Sequence, residues 1–184
     1  HERGCKAPCQ HSTFFNGWLF FVVLRLPRPL PTQQRDFLVL AHHVVEPVLS
    51  GAVVFCTQAA LEIAIDWARE RETFRSKLAD KQAIQWMIAD SEMELRAARL
   101  LVYQAAWQGD LGREMKIASS IAKVMATETA GRVVDRAIQV MGALGVAKEL
   151  PLERWYRELR IKRIGEGPSE VHRMVLARHL LGGR

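Results

Sequence analysis

Between residues 49 and 140, apolar and small side chains return every three or four positions, a periodicity that long helices packed side by side satisfy. Leu49, Val53, Cys56, Ala60, Ile63, Ala64 and Trp67 fall on one face of a first helix that the pattern carries to about Phe74. Asp80 is placed to cap a second, whose stripe runs through Ile84, Met87, Ile88, Leu95, Ala98, Val102 and Ala105 and stops at Gln108-Gly109-Asp110. A third carries Ala118, Ala122, Met125, Thr129, Val133, Ala137 and Val140, ending at Gly142 and Gly145, where glycine accepts left-handed backbone. After Pro151 a short fourth helix covers about 152–162, and a fifth covers 168–181. Long helices joined by short turns give an all-α antiparallel bundle without a sheet. The small residues of the third helix let neighbouring backbones come close. Nothing repeats at intervals of about 20–50 residues, which argues against a solenoid.

The pattern begins at Pro47, so the chain reads as an irregular N-terminal extension, residues 1–46, followed by a helical domain, residues 47–184. The extension holds Pro27, Pro29 and Pro31 and a short apolar run, Trp18-Leu19-Phe20-Phe21-Val22-Val23-Leu24. That run falls well below the roughly 20 residues a bilayer span requires, and it lacks a secretory leader's charged start and small-residue cleavage pattern. No membrane role is expected. The formal charge of +6 is modest, and Arg69-Glu70-Arg71-Glu72 shows the signs alternating as on a solvated helix face, so no nucleic-acid partner is expected. Cys5, Cys9 and Cys56 form neither a CxxC pair nor an even set, which fits a reducing compartment, cytoplasm or mitochondrial matrix. His172 and His179 stand seven residues apart without a grouped acid, so no metal site is expected. Trp86 and Met87 read as packing residues. Neither a strand-linked GxGxxG nor a GxxxxGK[ST] motif is present.

Chemistry concentrates near the end of the chain, in Glu166-Gly167-Pro168-Ser169-Glu170. Glu166 stands just before a helix start, where backbone N–H groups lack partners and face outward, and Gly167 lets a bound group approach the backbone. Pro168 suits the first turn because its missing N–H has no bond to lose there. A helix-start glutamate also complements the helix dipole without any further role, and the pattern by itself allows both readings.

Six separated segments then carry a resemblance. They are Trp67-Ala68 with Arg71 and Phe74; Lys81-Gln82-Ala83-Ile84; Ala105-Ala106-Trp107; Ala118-Ser119-Ser120-Ile121-Ala122-Lys123; Ala137-Ile138-Gln139-Val140-Met141-Gly142 with Gly145; and Glu166-Gly167-Pro168-Ser169-Glu170-Val171-His172. In that order and spacing, over about residues 47–182, the chain resembles the C-terminal helical domain of acyl-CoA dehydrogenases, its ending being closest to the larger, multidomain members. The resemblance implies FAD-dependent α,β-dehydrogenation of an acyl-CoA thioester, with electrons passed to an electron-transfer flavoprotein. Glu166 matches the catalytic base. A weakly acidic α-proton requires a desolvated carboxylate and a polarised thioester, and in the family the base's own backbone N–H helps hold the thioester oxygen. Arg71 matches the arginine that pairs with the FAD pyrophosphate. Phe74 and Gln82 match contacts to its adenosine end, and Gln139 and Gly142 match a loop that reaches FAD across a subunit interface. Gly167 matches the segment beside the substrate carbonyl, and Ser169 a neighbouring cofactor contact. Sharing of this kind implies a homodimer or homotetramer.

The chain also departs from the family's pattern. Arg75 stands where the family carries glycine after the phenylalanine, Ala143 replaces the second glycine of the loop, and Pro168 and Glu170 replace threonine and glutamine. Residues 1–46 offer no counterpart to the family's N-terminal helical and middle β-domains. A second expectation is therefore a truncated, non-catalytic helical module that acts through oligomerisation.

Overall fold

A computed structural model describes residues 32–182 of the chain, with side chains from residue 49 onward. The described residues form five α-helices: α1 (Thr32–Glu70), α2 (Gln82–Asp110), α3 (Lys116–Met141), α4 (Leu152–Lys162) and α5 (Ser169–Leu180). The expectations about Cys5, Cys9, the apolar run at 18–24 and the prolines at 27, 29 and 31 lie outside the described residues. Backbone contacts divide the chain into His1–Val39 and Leu40–Arg184, and the packing below concerns the second unit.

α1 begins well before Pro47, the expected start, and runs through it. Proline removes one backbone donor from a helix, a local loss that a helix of 39 residues spans. Its buried face is Val53, Val54, Thr57, Ala60, Leu61, Ala64 and Ala68. The expected stripe is therefore rotated by about one position, with Cys56, Ile63 and Trp67 at its half-buried edge. Residues 49–70 are long and apolar enough to cross a membrane by length and composition, but this face packs into the helical core.

The first helix stops at Glu70, short of Phe74, because a hairpin follows. β1 (Glu72–Thr73) pairs antiparallel with β2 (Ser76–Lys77), Glu72 opposite Lys77 and Thr73 opposite Ser76. This small ribbon corrects the expectation of no sheet at all, although the fold remains all-α. Its two-residue turn puts Phe74 at φ 51° and Arg75 at φ 65°. Both signs are those of the type I′ turn, whose twist matches that of paired strands. Asp80 does not cap α2. Its Oδ2 accepts the Lys77 N–H at 3.1 Å and closes the 3-10 turn Leu78–Asp80, leaving Lys81 as the N-cap of α2.

α3 is the axis of the bundle. Small side chains, among them Ser119, Ala122, Ala126, Ala130 and Ala137, are buried along it, and α2, α4 and α5 all pack on it. Burial on several sides explains why a single apolar stripe describes α3 poorly: Val134 and Thr127 are buried although off the expected line, while Met125, on that line, is exposed. α2 buries Ser91, Leu95, Ala98, Val102 and Ala105. α4 follows a simple amphipathic pattern, burying Leu152, Trp155 and Leu159. On the other side of α2, Trp86, Met93, Leu100 and Trp107 stand exposed at seven-residue intervals.

Two glutamates tie the helices together. Glu94 on α2 receives Arg132 Nε at 2.6 Å and Arg136 Nη2 at 2.8 Å, both from α3. Glu128 on α3 receives Arg173 Nη2 of α5 at 2.7 Å, with Arg163 at 3.8 Å. Burial raises the proton affinity of Glu94, but the hydrogen bonds and charges of Arg136 and Arg132 outweigh it and hold the carboxyl below its ordinary value. The Arg173 hydrogen bond holds Glu128 low in the same way.

Two outcomes follow from these contacts. A folded-state value below the unfolded one means that the unfolded chain binds more protons, so the stabilisation is complete above the ordinary glutamate value of 4.5 and is lost as pH falls through the depressed values. Denaturant titrations are expected to show a gap between the parent and Glu94→Gln at pH 7 that narrows below that value. Arg75→Gly is expected to stabilise the fold by about 1 kcal/mol, because glycine removes the left-handed strain at φ 65°. A raised thermal midpoint checks it.

Candidate active site

The loop between α4 and α5 is built to change direction sharply. Glu166 has φ 57° and Gly167 φ 96°, two successive residues in left-handed backbone. Pro168 follows as the N-cap of α5, one position before the first helical residue, and its carbonyl accepts the N–H of Val171 at 2.9 Å and of His172 at 3.3 Å. The Ser169 N–H turns back to the Arg163 carbonyl at 3.1 Å. One of the donors at the helix start is thereby used within the chain.

Glu166 is half-buried and lines a small cavity with Leu49, Ser50, Val53, Lys123, Thr127 and Lys162. At about 10 Å³ this space admits a single water at most. Its lining brings Glu166 together with apolar residues of α1, Leu49 and Val53, and with Lys123 of α3 and Lys162 of α4. Gly167 is fixed by space as well as by φ: a Cβ there would come within 3.0 Å of His172 Nε2.

Beneath this loop lies a polar cluster that the periodic pattern does not single out. Lys123 is 4% exposed, and its Nζ donates a short hydrogen bond to the Gly167 carbonyl. His172, also buried, sets Nε2 3.4 Å from the Glu166 carbonyl and Nδ1 3.2 Å from Ser120 Oγ. A carbonyl can only accept, so Nε2 carries the proton in its bond to Glu166, while the Ser120 hydroxyl can accept from or donate to Nδ1. The available signal was a lysine in the middle of a run of small residues, among the buried positions 119, 120, 122, 126 and 127.

A second, larger cavity of about 380 Å³ is lined by Trp67, Arg71, Thr73, Leu78 and residues 140–144. The Arg71 guanidinium lies over the Trp67 ring at 5.8 Å from its centroid. Gly142 ends α3 at φ 64°, with open space where a Cβ would stand. Gly145 serves differently from the expected relief of left-handed strain: its own φ is not positive, and a Cβ there would meet the Ile138 carbonyl oxygen at 2.8 Å. It lets the turn pack against the last turns of α3.

Of the residues singled out from the sequence, the structure therefore brings Arg71 and Gly142 together on this cavity, while Glu166 lines the other and Gly167 follows it in the loop without lining either. Phe74, 96% exposed, is at the hairpin tip, while Gln82 and Gln139 are exposed on α2 and α3; none of the three lines either cavity. Ser169 is buried at the start of α5, its hydroxyl without a hydrogen-bond partner among the described residues. Among the described residues no three His, Cys, Asp or Glu side chains are grouped to hold a metal ion.

Comparison with known proteins gives consistent matches. The profile of the acyl-CoA dehydrogenase C-terminal domain matches residues 47–181. The chain is 44% identical over 130 residues to (R)-benzylsuccinyl-CoA dehydrogenase of Thauera aromatica, covering 68% of this chain and 32% of that protein. It is 42% identical over 124 residues to the mitochondrial short-chain specific acyl-CoA dehydrogenase of Bos taurus, covering 67% and 30%. The structure of butyryl-CoA dehydrogenase from Megasphaera elsdenii superposes with a TM-score of 0.75 at 32% identity, over 77% of this chain and 37% of that one. The chain thus spans about a third of the length of these relatives.

The geometry of the loop makes its own forecast. Gly167→Ala is expected to cost roughly 1–2 kcal/mol, from left-handed strain and the crowding of His172. Gly51→Ala, in a helix with nothing within 4 Å of the added carbon, is expected to stabilise slightly and serves as the control. Denaturant midpoints of the two variants should move in opposite directions.

Proposed function

The chain belongs to the acyl-CoA dehydrogenase family, and from that premise we propose that it is the C-terminal helical domain of a flavin oxidoreductase that desaturates an acyl-CoA thioester between its α and β carbons. One observation carries the proposal: a half-buried carboxylate, Glu166, on a sharply turned loop at the start of α5, lining a cavity with apolar side chains. Abstraction of an α-proton requires a base shielded from bulk water and held at one position. In this reading Glu166 removes that proton, its backbone N–H polarises the thioester oxygen, and Gly167 belongs to the segment beside the substrate carbonyl.

The larger cavity offers groups suited to the pyrophosphate of a flavin dinucleotide. Arg71 offers a planar guanidinium to a pyrophosphate, which it can bind in bidentate fashion, and its stacking on Trp67 limits the guanidinium's freedom. Gly142 presents backbone with no Cβ in the way. FAD bound there supplies the acceptor for the β-hydride. The exposed side chains Phe74, Gln82 and Gln139 are proposed as further contacts, including contacts made to another subunit's cofactor. An electron-transfer flavoprotein as acceptor and assembly as a homodimer or homotetramer belong to the same reading. In the same reading the contact between copies lies on the third and fifth helices, α3 and α5, and the exposed apolar row of α2 offers a further apolar face.

Glu166→Gln preserves shape and removes the proton acceptor, so turnover in the longest natural chain that carries this domain is expected to fall by about a hundredfold or more. Its flavin content should stay at the parent level. Arg71→Ala should do the reverse, lowering retained flavin, read from visible absorbance, with turnover recovered by excess FAD. Full turnover in Glu166→Gln would show that the base lies elsewhere.

A further inference from the structure

We infer that Lys123 and His172 are positioning residues that lock the Glu166–Gly167 segment in its left-handed conformation and so fix where the Glu166 carboxylate stands. The inference rests on the reading of Glu166 as the base. Two consecutive carbonyls of the loop are each captured from a different helix. The Gly167 carbonyl accepts from Lys123 of α3, and the Glu166 carbonyl faces Nε2 of His172 of α5 at 3.4 Å. These are the carbonyls of the peptide planes on either side of the Gly167 Cα, and holding both planes fixes the backbone torsions between them.

Neither captor is a casual contact. An ammonium buried among small side chains is costly unless it is hydrogen-bonded, and the Lys123 ammonium bonds to the loop at the Gly167 carbonyl. The His172 ring is oriented from its far side by Ser120 on α3, one turn from Lys123, so both clamps are anchored in the axis of the bundle. Lys123 also shares with Glu166 the lining of the small cavity. The plane held by His172 also follows the Glu166 Cα, so a loop released from the clamps leaves that non-glycine residue at φ 57° free to relax toward ordinary backbone, taking its carboxylate with it.

The test compares Lys123→Met, His172→Phe and His172→Gln in the longest natural chain carrying the domain. Lys123→Met keeps length without the ammonium, His172→Phe keeps the ring without its nitrogens, and His172→Gln restores a donor near the position of Nε2. Expected for Lys123→Met and for His172→Phe is a fall in kcat of about tenfold or more, with KM moved far less. Amide hydrogen exchange should rise across residues 165–172 while α2 keeps the parent's protection. His172→Gln should recover most of the loss in both readouts. Parent-like kcat and loop exchange in Lys123→Met and His172→Phe would overturn the inference, as would a rise in exchange spread evenly over the domain, which marks general destabilisation. Should one of the variants fail to fold, the remaining one decides by the same pair of readouts. Glu166→Gln, assayed alongside, separates the two failures. Full turnover there removes the base assignment and the inference with it, whereas lost turnover there beside parent-like Lys123→Met and His172→Phe removes the inference alone.

Discussion

The close approach of helices around α3 is the constraint on which the rest depends. A helix packed by α2, α4 and α5 has little room for large side chains, and α3 meets this with serine, alanine, threonine and valine over most of its buried positions. Small residues let backbones approach, and the resulting attraction is van der Waals packing distributed over many atom pairs. The same crowding sets the terms for any polar group on α3. Ser120 and Lys123 are buried with it, and each finds a partner in the segment that leads into or forms α5. Packing and site are therefore not separate features: the helix that centres the core also holds the loop bearing the candidate base.

Charge plays a different part at the edges of the same helix. Glu94 and Glu128 are each held by two arginines, and the four guanidinium groups come from α3, from α5 and from the turn ahead of α5. Bonds to ionised partners carry geometric preference as well as attraction, so the pairs fix the rotation of α2 and α5 about α3, something an array of small apolar contacts specifies poorly. One pair reaches the loop itself, because Arg163, whose carbonyl accepts the Ser169 N–H, also approaches Glu128.

The departures from the family's pattern take on physical meaning in the folded chain. Arg75 occupies a left-handed turn position, the reason a glycine suits it, and the chain tolerates the strain at an exposed hairpin tip. Pro168 at the N-cap keeps a carbonyl available to the N–H groups of Val171 and His172, so its missing N–H does not interrupt the start of α5. Ala143 sits beside Gly142 on the larger cavity, where φ 64° makes glycine matter at 142.

By itself the sequence determined the bundle. Helical period, turn residues and the short connections locate α2, α4 and the end of α3 closely, since a periodic apolar face is a property of neighbouring residues and needs no knowledge of what it packs against. It also pointed to Glu166 and Gly167 through the helix start that follows them. Only the tertiary structure decided the rest. Met125 turned outward and Val134 inward because α3 is enclosed on several sides, which no single stripe encodes. The first helix ended four residues early because two residues took up a left-handed turn, an outcome set by strand pairing beyond them. Lys123 and His172 reach their loop carbonyls from 44 and 6 residues away in sequence, and a hydrogen bond to a backbone carbonyl leaves no mark on the composition of either partner. Local pattern reports which face is buried; which polar groups meet there is settled when the helices close.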